Sequence, residues 1–219
     1  MTGSAWARRA WPEMIRAGTQ LRSVPLVPDI RLHLASDPVS LWQRTELTSG
    51  RDGLDPPFWA FAWAGGLALA RYLLDHPETV RGRHAIDIAS GSGVVAIAAA
   101  MAGAAAVTAY DIDPLATAAI EVNAAANAVT VRAVCADVLD DHPPPGTGLV
   151  LVADAFYQRD LAARVMRFAR RGQGPGAAPS LAGARSPEPL TSLAGAGAVA
   201  LRAAAKWPGC SLCSPGPAQ

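Results

Sequence analysis

The stretch AIDIASGSGVVAIAAAMAGAAAVTAYDID, residues 85–113, decides the fold of this 219-residue chain. Its first five residues predict a buried strand, and a glycine-rich turn then begins a helix at about residue 91. Residues 106–113 predict a second strand. A strand, a helix and a further strand in this order form a βαβ unit, so the sequence predicts a parallel sheet.

The same alternation continues along the chain. Pro114 suits a first helical turn, because its missing N–H costs nothing there. Further strands are predicted at 129–134 and 149–154, and a helix at 159–171. Right-handed crossovers place such helices on both faces of the sheet. The predicted class is therefore α/β, Rossmann-like and doubly wound, with a mainly parallel sheet.

The residues before the sheet carry weaker patterns. Residues 4–18 predict a short amphipathic helix, and 24–35 predict an extended strand-like segment, because its prolines exclude a helix. Residues 48–57 predict a loop, and 66–75 predict a helix.

We expect three parts: an N-terminal segment of residues 1–57, a Rossmann-like domain of residues 58–171 and a tail of residues 172–219. The tail is rich in Gly, Ala, Pro and Ser and offers almost nothing for a strand. We therefore expect the tail to be disordered, with 194–206 as its best helix candidate.

Composition excludes several classes. The chain has 19 Lys+Arg and 18 Asp+Glu, so a net charge of +1 predicts no general attraction to nucleic acid or anionic membranes. No signal peptide or apolar run of about 18 residues is visible, so we expect a cytoplasmic protein. Three cysteines rule out a disulfide scaffold, and the scattered histidines predict no metal site.

Carboxylates lie at or just after the predicted strands, where ligands of open α/β sheets bind: Asp87, Asp111, Asp113, Asp137 and Asp154. The loop GSGVVA, residues 91–96, fits G-x-G-x-x-G/A, and Asp111 lies 20 residues beyond Gly91. This pattern is shared by proteins that bind dinucleotides and proteins that bind S-adenosylmethionine.

Charge favours the second cofactor. Two unit charges ~5 Å apart at an effective dielectric of ~20 interact by about 3 kcal/mol. Asp87 beside the glycine loop would repel a pyrophosphate and attract a sulfonium or ammonium group. The alternative is that Gly91 and Gly93 form only a tight turn, that Asp111 or Asp113 only caps a helix, and that Asp137 and Asp154 are ligand-free loop residues.

With these residues identified, the chain resembles the seven-β-strand class I methyltransferases. More narrowly, it resembles the lysine methyltransferases of the electron transfer flavoprotein β-subunit and their bacterial relatives. The resemblance covers about 27–171 and rests on four segments: PFWAFAWAGGLALARYLLD (57–75), AIDIASGSGVVAIAAAMAGA (85–104), AYDIDPLATAAIEVNAAAN (109–127) and ADAFYQRDLA (153–162). The middle two also resemble ribosomal protein L11 methyltransferases, so they indicate the class better than the substrate.

The resemblance implies a cofactor site for S-adenosylmethionine formed by Trp63, Asp87, Ala89, Gly91, Gly93, Asp111 and Asp137. Within it, Asp111 would bind the ribose, Asp137 the adenine amino group, and Trp63 would belong to a lid. Ala89 is a departure, because family members usually have Gly there.

On the acceptor side, the resemblance implies Asp154 and Tyr157 as catalytic residues that orient the substrate amine. Phe58 and Phe156 would form aromatic walls of the substrate site. For Phe58, Trp59 and Trp63 the alternative is core packing.

The expected function is S-adenosylmethionine-dependent protein-lysine methylation, with the electron transfer flavoprotein β-subunit as a possible partner. The alternatives are a methyltransferase for ribosomal protein or a small molecule, a truncated inactive relative, and an NAD-binding oxidoreductase. The inactive alternative arises because the family normally adds three more strands and a G-D-P-G-R loop after residue 171. Nothing similar follows here, so we expect the C-terminal strands to be missing or replaced.

Overall fold

The computed structural model describes residues 5–49, 55–155, 159–171 and 197–201. The α-helices in these ranges are α1 Ala5–Gly18, α2 Pro38–Ser49, α3 Ala64–Asp75, α4 Val94–Met101, α5 Pro114–Ala126 and α6 Arg159–Arg171. The strands are β1 Gln20–Val24, β2 Val27–Leu34, β3 His84–Ile88, β4 Ala106–Asp111, β5 Arg132–Cys135, β6 Leu149–Ala153 and β7 Gly197–Leu201. Short 3-10 turns lie at Phe58–Ala60 and Pro77–Thr79.

Five parallel strands form the main sheet in the order β5-β4-β3-β6-β7. The chain runs outward from β3 through β4 to β5, and then returns to the other side of β3 with β6. This reversal makes the carboxyl ends of β3 and β6 the switch point at which such sheets bind ligands. The predicted Rossmann-like, doubly wound class is confirmed.

Alternate residues of the central strands face opposite sides of the sheet. Ile86 and Val150 pack in one buried cluster with Phe168 of α6. Ala85 and Leu151 face the other way, into the cluster formed with α3 and α4. Helices therefore cover both faces, and strands buried on both sides explain the near-continuous apolar runs that predict them.

The N-terminal segment forms two helices and a hairpin. Helix α1 confirms the helix predicted at 4–18, and β2 confirms the predicted strand, which pairs in antiparallel fashion with β1. The sequence analysis missed α2. Its apolar residues do not share one face, because Val39 and Leu47 are exposed whereas Leu41 is buried.

Strand β7 corrects a prediction about the tail. Residues 197–201 pair in parallel with β6, with Val150 opposite Ala198 and Val152 opposite Ala200. The expectations of almost no strand in the tail and of a helix at 194–206 are wrong for these five residues. Composition gave little signal for β7, because its partner is the backbone of β6, whose N–H and C=O groups need acceptors and donors. The expected disorder of 172–196 and 202–219 lies outside the described residues.

No helix in the described ranges combines the length and apolarity that crossing a bilayer requires.

Candidate cofactor and active site

The carboxyl end of β3 holds a buried acid. Asp87 is 1% exposed, and its Oδ2 accepts a hydrogen bond of 2.6 Å from the Ser90 hydroxyl. Burial raises the pKa of Asp87 to about 7, although the Ser90 hydroxyl and the Ala96 N–H favour the ionised form. A cation near this carboxyl would restore its ionisation, so the strand end favours a positively charged ligand.

The turn after β3 contains three residues with left-handed backbone. The φ angles are 54° at Ala89, 54° at Gly91 and 82° at Gly93. A Cβ on Gly93 would lie 3.2 Å from Cγ1 of Ile120, so this glycine is required by helix packing as well as by the turn. A Cβ on Gly91 would meet nothing within 4 Å, so Gly91 faces open space. The space beside Gly91 is therefore available to a ligand.

Ala89 stands where family members usually have glycine, and its left-handed backbone is strained. A left-handed conformation is unfavourable for an L-residue by roughly 1–2 kcal/mol. The turn keeps this conformation with alanine in place, so the backbone path does not depend on glycine at this position.

Asp111 links the ends of β3 and β4. Its Oδ2 accepts a hydrogen bond of 2.8 Å from the Gly91 N–H, and its Oδ1 accepts one of 3.0 Å from the Asp113 N–H. Burial raises the pKa of Asp111, and these backbone donors oppose that shift. Asp113 caps α5 by accepting from the Leu115 N–H at 2.8 Å, which confirms the capping role predicted for it.

Ile112 is a further candidate residue of the site, and it was not predicted from the sequence. Its side chain is 70% exposed, although it directly follows Asp111 at the ligand edge of the sheet. An exposed apolar side chain in such a crevice suits the flat face of an aromatic ligand. The available signal was the apolar residue between two acids in the sequence DID.

Asp137 is held by a basic residue of α6. Arg164 donates to Asp137 Oδ2 at 3.0 Å and to Asp140 Oδ2 at 2.6 Å. The neighbouring Ala136 N–H donates to the Asp111 carbonyl at 2.9 Å, which brings the residue after β5 to the end of β4. Asp137 therefore lies near the ribose-binding candidate, and Arg164 was not predicted from the sequence.

Asp154, directly after β6, binds the beginning of α3. Its Oδ1 accepts from the Gly65 N–H at 3.0 Å and its Oδ2 from the Gly66 N–H at 2.5 Å. Burial raises the pKa of Asp154, and the two N–H groups oppose the shift. A Cβ on Gly65 would lie 2.5 Å from Oδ1, so the carboxylate explains why the second residue of this helix is glycine. Neither glycine was predicted as a site residue.

An aromatic group stands just before α3. The Trp63 indole N–H donates to the Phe58 carbonyl at 2.9 Å. The ring centroid of Trp63 is 5.9 Å from that of Phe58 and 5.8 Å from that of Phe61. Phe58 is 49% and Trp63 is 45% exposed, whereas Trp59 is buried. The core-packing alternative therefore describes Trp59 and not its two exposed neighbours.

Phe156 and Tyr157 lie outside the described residues, so the contacts predicted for these two aromatic side chains are not described.

The strand order brings the remaining candidates to one edge. Strand β3 lies between β4 and β6, so its glycine turn is flanked by Asp111 on one side and Asp154 on the other. A Cβ on Gly66 would lie 3.1 Å from Cγ1 of Val94, so α3 and α4 begin beside each other. The aromatic group, the acids and the glycine turn therefore lie at one edge of the sheet.

The charges of this edge test which cofactor fits. In the described part of the chain, Asp87, Asp111, Asp113 and Asp154 form no ion pair with Arg or His. The same ranges contain no group of three or more side chains suited to a metal ion. Unpaired carboxylates, open space at Gly91 and exposed Ile112 fit an adenosine carrying positive charge better than a pyrophosphate.

Comparison with known proteins gives consistent matches. A family model described as ribosomal protein L11 methyltransferase (PrmA) matches residues 69–155. The electron transfer flavoprotein beta subunit lysine methyltransferase of Homo sapiens is 40% identical over 138 residues, which cover 63% of this chain and 51% of that protein. Its counterpart from Xenopus laevis is 39% identical over 154 residues, covering 70% of this chain and 61% of that protein.

Among solved structures, the ribosomal protein L11 methylase of Lactobacillus delbrueckii subsp. bulgaricus is 27% identical, with a TM-score of 0.40. The match covers 52% of this chain and 59% of that structure.

The chain spans 51% of the human relative and 61% of the frog relative, so it corresponds to little more than half of each. The matched residues include β3, the glycine turn, Asp111 and Asp154. The chain is therefore similar to ribosomal protein L11 methyltransferases over residues 69–155, and to the lysine methyltransferases of the electron transfer flavoprotein β-subunit over a longer stretch.

Proposed function

We propose that the chain transfers a methyl group from S-adenosylmethionine to the ε-amine of a protein lysine, with the electron transfer flavoprotein β-subunit as the candidate acceptor. One observation carries the proposal: Asp154 joins the end of β6 to the beginning of α3. These two hydrogen bonds place the exposed rings of Phe58 and Trp63, just before α3, near the Asp154 carboxylate and the glycine turn. A cytoplasmic site of action is part of the proposal.

The cofactor half of the site would use the residues at the ends of β3, β4 and β5. Asp111 would accept hydrogen bonds from the ribose, Ile112 would cover the adenine, and Asp137 would accept from its amino group. The glycine turn from Ala89 to Gly93 would pass close to the methionine part. When bound, S-adenosylmethionine supplies an electrophilic methyl group on a positively charged sulfur.

The acceptor half must receive a lysine and remove its proton. Phe58 and Trp63 present apolar ring surface, and desolvation by such surface lowers the pKa of a lysine amine. The same rings attract a cation to their faces, so they would hold the incoming lysine ammonium and the methylated product, which is again positively charged. Trp63, Phe58 and, in the segment after Asp154, Phe156 are the proposed walls.

Asp154 retains capacity to bind the amine. Each carboxylate oxygen offers about two acceptor positions, and each oxygen of Asp154 accepts one backbone N–H. The remaining positions would orient an amine N–H and stabilise the positive charge of the methylated product. Tyr157 is proposed as a second contact through its hydroxyl.

The direct test incubates the full chain with methyl-labelled S-adenosylmethionine and purified electron transfer flavoprotein, followed by mass spectrometry of the β-subunit. We expect label on lysine, and a strongly reduced rate of labelling in Asp154→Ala. Absence of label on the flavoprotein, at enzyme concentrations that bind the cofactor, would contradict the proposed acceptor.

The PrmA match favours ribosomal protein L11 as a second candidate acceptor. A parallel reaction with purified ribosomal protein L11 separates the two. Label on L11 alone would replace the flavoprotein proposal, whereas label on the flavoprotein alone would exclude this alternative.

A further inference from the structure

A buried asparagine connects the glycine turn with the N-terminal hairpin. Asn123 on α5 is 0% exposed. Its Nδ2 donates to the carbonyl of Ser92 at 2.8 Å, and its Oδ1 accepts from the backbone N–H of His33 on β2 at 2.8 Å. One amide group thus binds two segments that lie 31 and 90 residues away along the chain.

Asn127, one helical turn later, binds the same strand but not the turn. Its Oδ1 accepts from the Arg31 N–H at 2.9 Å, and its Nδ2 donates to the Arg31 carbonyl at 2.7 Å. Four residues of helix rise about 6 Å and two residues of strand about 6.6 Å, so asparagines at this spacing match alternate residues of β2. The two asparagines therefore share a link to β2, but only Asn123 is fully buried and binds Ser92, whereas Asn127 is half-buried.

Ser92 is the residue whose orientation needs such support. It lies between Gly91 and Gly93, and both glycines have left-handed backbone. Glycine is the least restricted residue, so the peptide groups of Ser92 would otherwise rotate more freely than those of the flanking helix and strand. The Asn123 amide fixes the Ser92 carbonyl and with it the turn that faces the open space at Gly91.

We propose that Asn123 is a positioning residue for the methyl donor, which holds the glycine turn in its binding conformation and couples that turn to β2. The inference rests on the proposed function, because it assumes that S-adenosylmethionine binds at the turn. Asn123 lies beneath the turn and acts through Ser92. Its loss would weaken cofactor binding beyond any loss of stability.

Asn127→Ala provides the matched control, since it removes a link between α5 and β2 without touching the turn. Calorimetry with S-adenosylhomocysteine and thermal melting are run on the wild type, Asn123→Ala and Asn127→Ala. We expect a lower Tm in both variants. The Kd should rise roughly tenfold in Asn123→Ala, the effect of losing a buried hydrogen bond, and stay within about twofold in Asn127→Ala. Equal Kd values in the two variants would overturn the proposal.

A second measurement needs no variant. Binding at the turn should slow hydrogen exchange at the His33 amide, which donates to Asn123, more than at the Arg31 amide, which donates to Asn127. Equal slowing of the two amides in the wild type would overturn the coupling. Failure of the wild type to bind S-adenosylhomocysteine at all would overturn the proposed function, and this inference with it.

Discussion

Asp111 and Asp154 are similar groups held in different ways. Each is a largely buried carboxylate at or just after a strand end, and each accepts two backbone N–H groups. The donors to Asp111 lie 2 and 20 residues away, whereas the donors to Asp154 lie 88 and 89 residues away. The proposed cofactor half of the site is therefore built by one local unit, and the proposed acceptor half by the docking of a distant helix.

This difference has a consequence for how substitutions act. A change at Asp111 disturbs the turn and the next strand end, which β3 and β4 continue to hold together. Asp154 holds the first turn of α3, so we expect its loss to free that turn and to displace the neighbouring rings of Phe58 and Trp63. We expect the acceptor half to be the more sensitive of the two to loss of a single carboxylate.

The largest effect is expected for Asp154→Ala. The variant should lower kcat/KM for methyl transfer about 100-fold, since misplacement of a reacting group by about 1 Å has effects of this size. Its stability should fall by about 1 kcal/mol, the usual effect of losing a helix cap. Steady-state kinetics and urea unfolding measure the two effects.

Asp113→Ala is the control, because Asp113 also caps a helix and is also largely buried. It should lose similar stability and keep most of the activity. If both variants lose activity equally, Asp154 has no function beyond capping α3.

The second effect concerns pH. The folded pKa of Asp87, about 7, lies above its ordinary value of 3.8, so the folded state holds this proton more tightly than the unfolded state. The contribution of Asp87 to stability is therefore greatest below pH 4 and is lost as the pH rises to about 7. Between these limits, Asp87→Asn should be less sensitive to pH than the wild type in urea unfolding.

Cofactor affinity should rise with pH over the range in which the contribution of Asp87 to folding stability falls. A bound cation favours ionised Asp87, so binding releases a proton, and affinity should rise at most tenfold per pH unit up to about pH 7. Titration calorimetry in buffers of different ionisation enthalpy detects the proton. An unchanged pH profile in Asp87→Asn would show that another group is responsible.

A smaller effect is expected from relieving backbone strain, and it distinguishes the glycine turn from a second left-handed alanine elsewhere. Ala89 and Ala128 both have φ of 54°, but Ala128 follows α5, away from the ligand edge. Replacing either with glycine should raise stability by about 1 kcal/mol, because the left-handed conformation is then unstrained. Thermal melting checks this gain.

Only Ala89→Gly should also change the Kd for S-adenosylhomocysteine, since only this residue lies in the glycine turn. A change of affinity in Ala128→Gly of the same size would mean that the effect is general stabilisation.

The smallest effect is expected at the adenine end. Asp137 and Asp140 share Arg164, and exposed ion pairs contribute little stability. Asp137→Ala should raise the cofactor Kd about threefold, the loss of one modest hydrogen bond, whereas Asp140→Ala should leave it unchanged. If calorimetry gives equal Kd values for Asp137→Ala and Asp140→Ala, Asp137 does not belong to the cofactor site.

The sequence predicts the parts of this molecule that local spacing determines. The apolar runs of β3, β4 and β6, the glycine turn and Pro114 at the beginning of α5 each carry a short-range signal, and the structure confirms these elements. The capping role of Asp113 was likewise visible beside Pro114.

Contacts between distant segments were not predictable in the same way. The attachment of Asp154 to Gly65 and Gly66, the pairing of Arg164 with Asp137, and the link from Asn123 to His33 all depend on how helices dock. Strand β7 forms by pairing with the edge of β6, and its own residues carry little sequence signal for a strand. The division into an N-terminal segment of residues 1–57 and a domain of residues 58–171 stays a prediction.

The central claim is that carboxylates at one edge of the sheet select a positively charged methyl donor over a nucleotide with a pyrophosphate. Titration calorimetry of the full chain with S-adenosylmethionine and, separately, with NADH at pH 8 tests it most directly. The account predicts saturable binding of S-adenosylmethionine and no binding of NADH. Binding of NADH without binding of S-adenosylmethionine would contradict it.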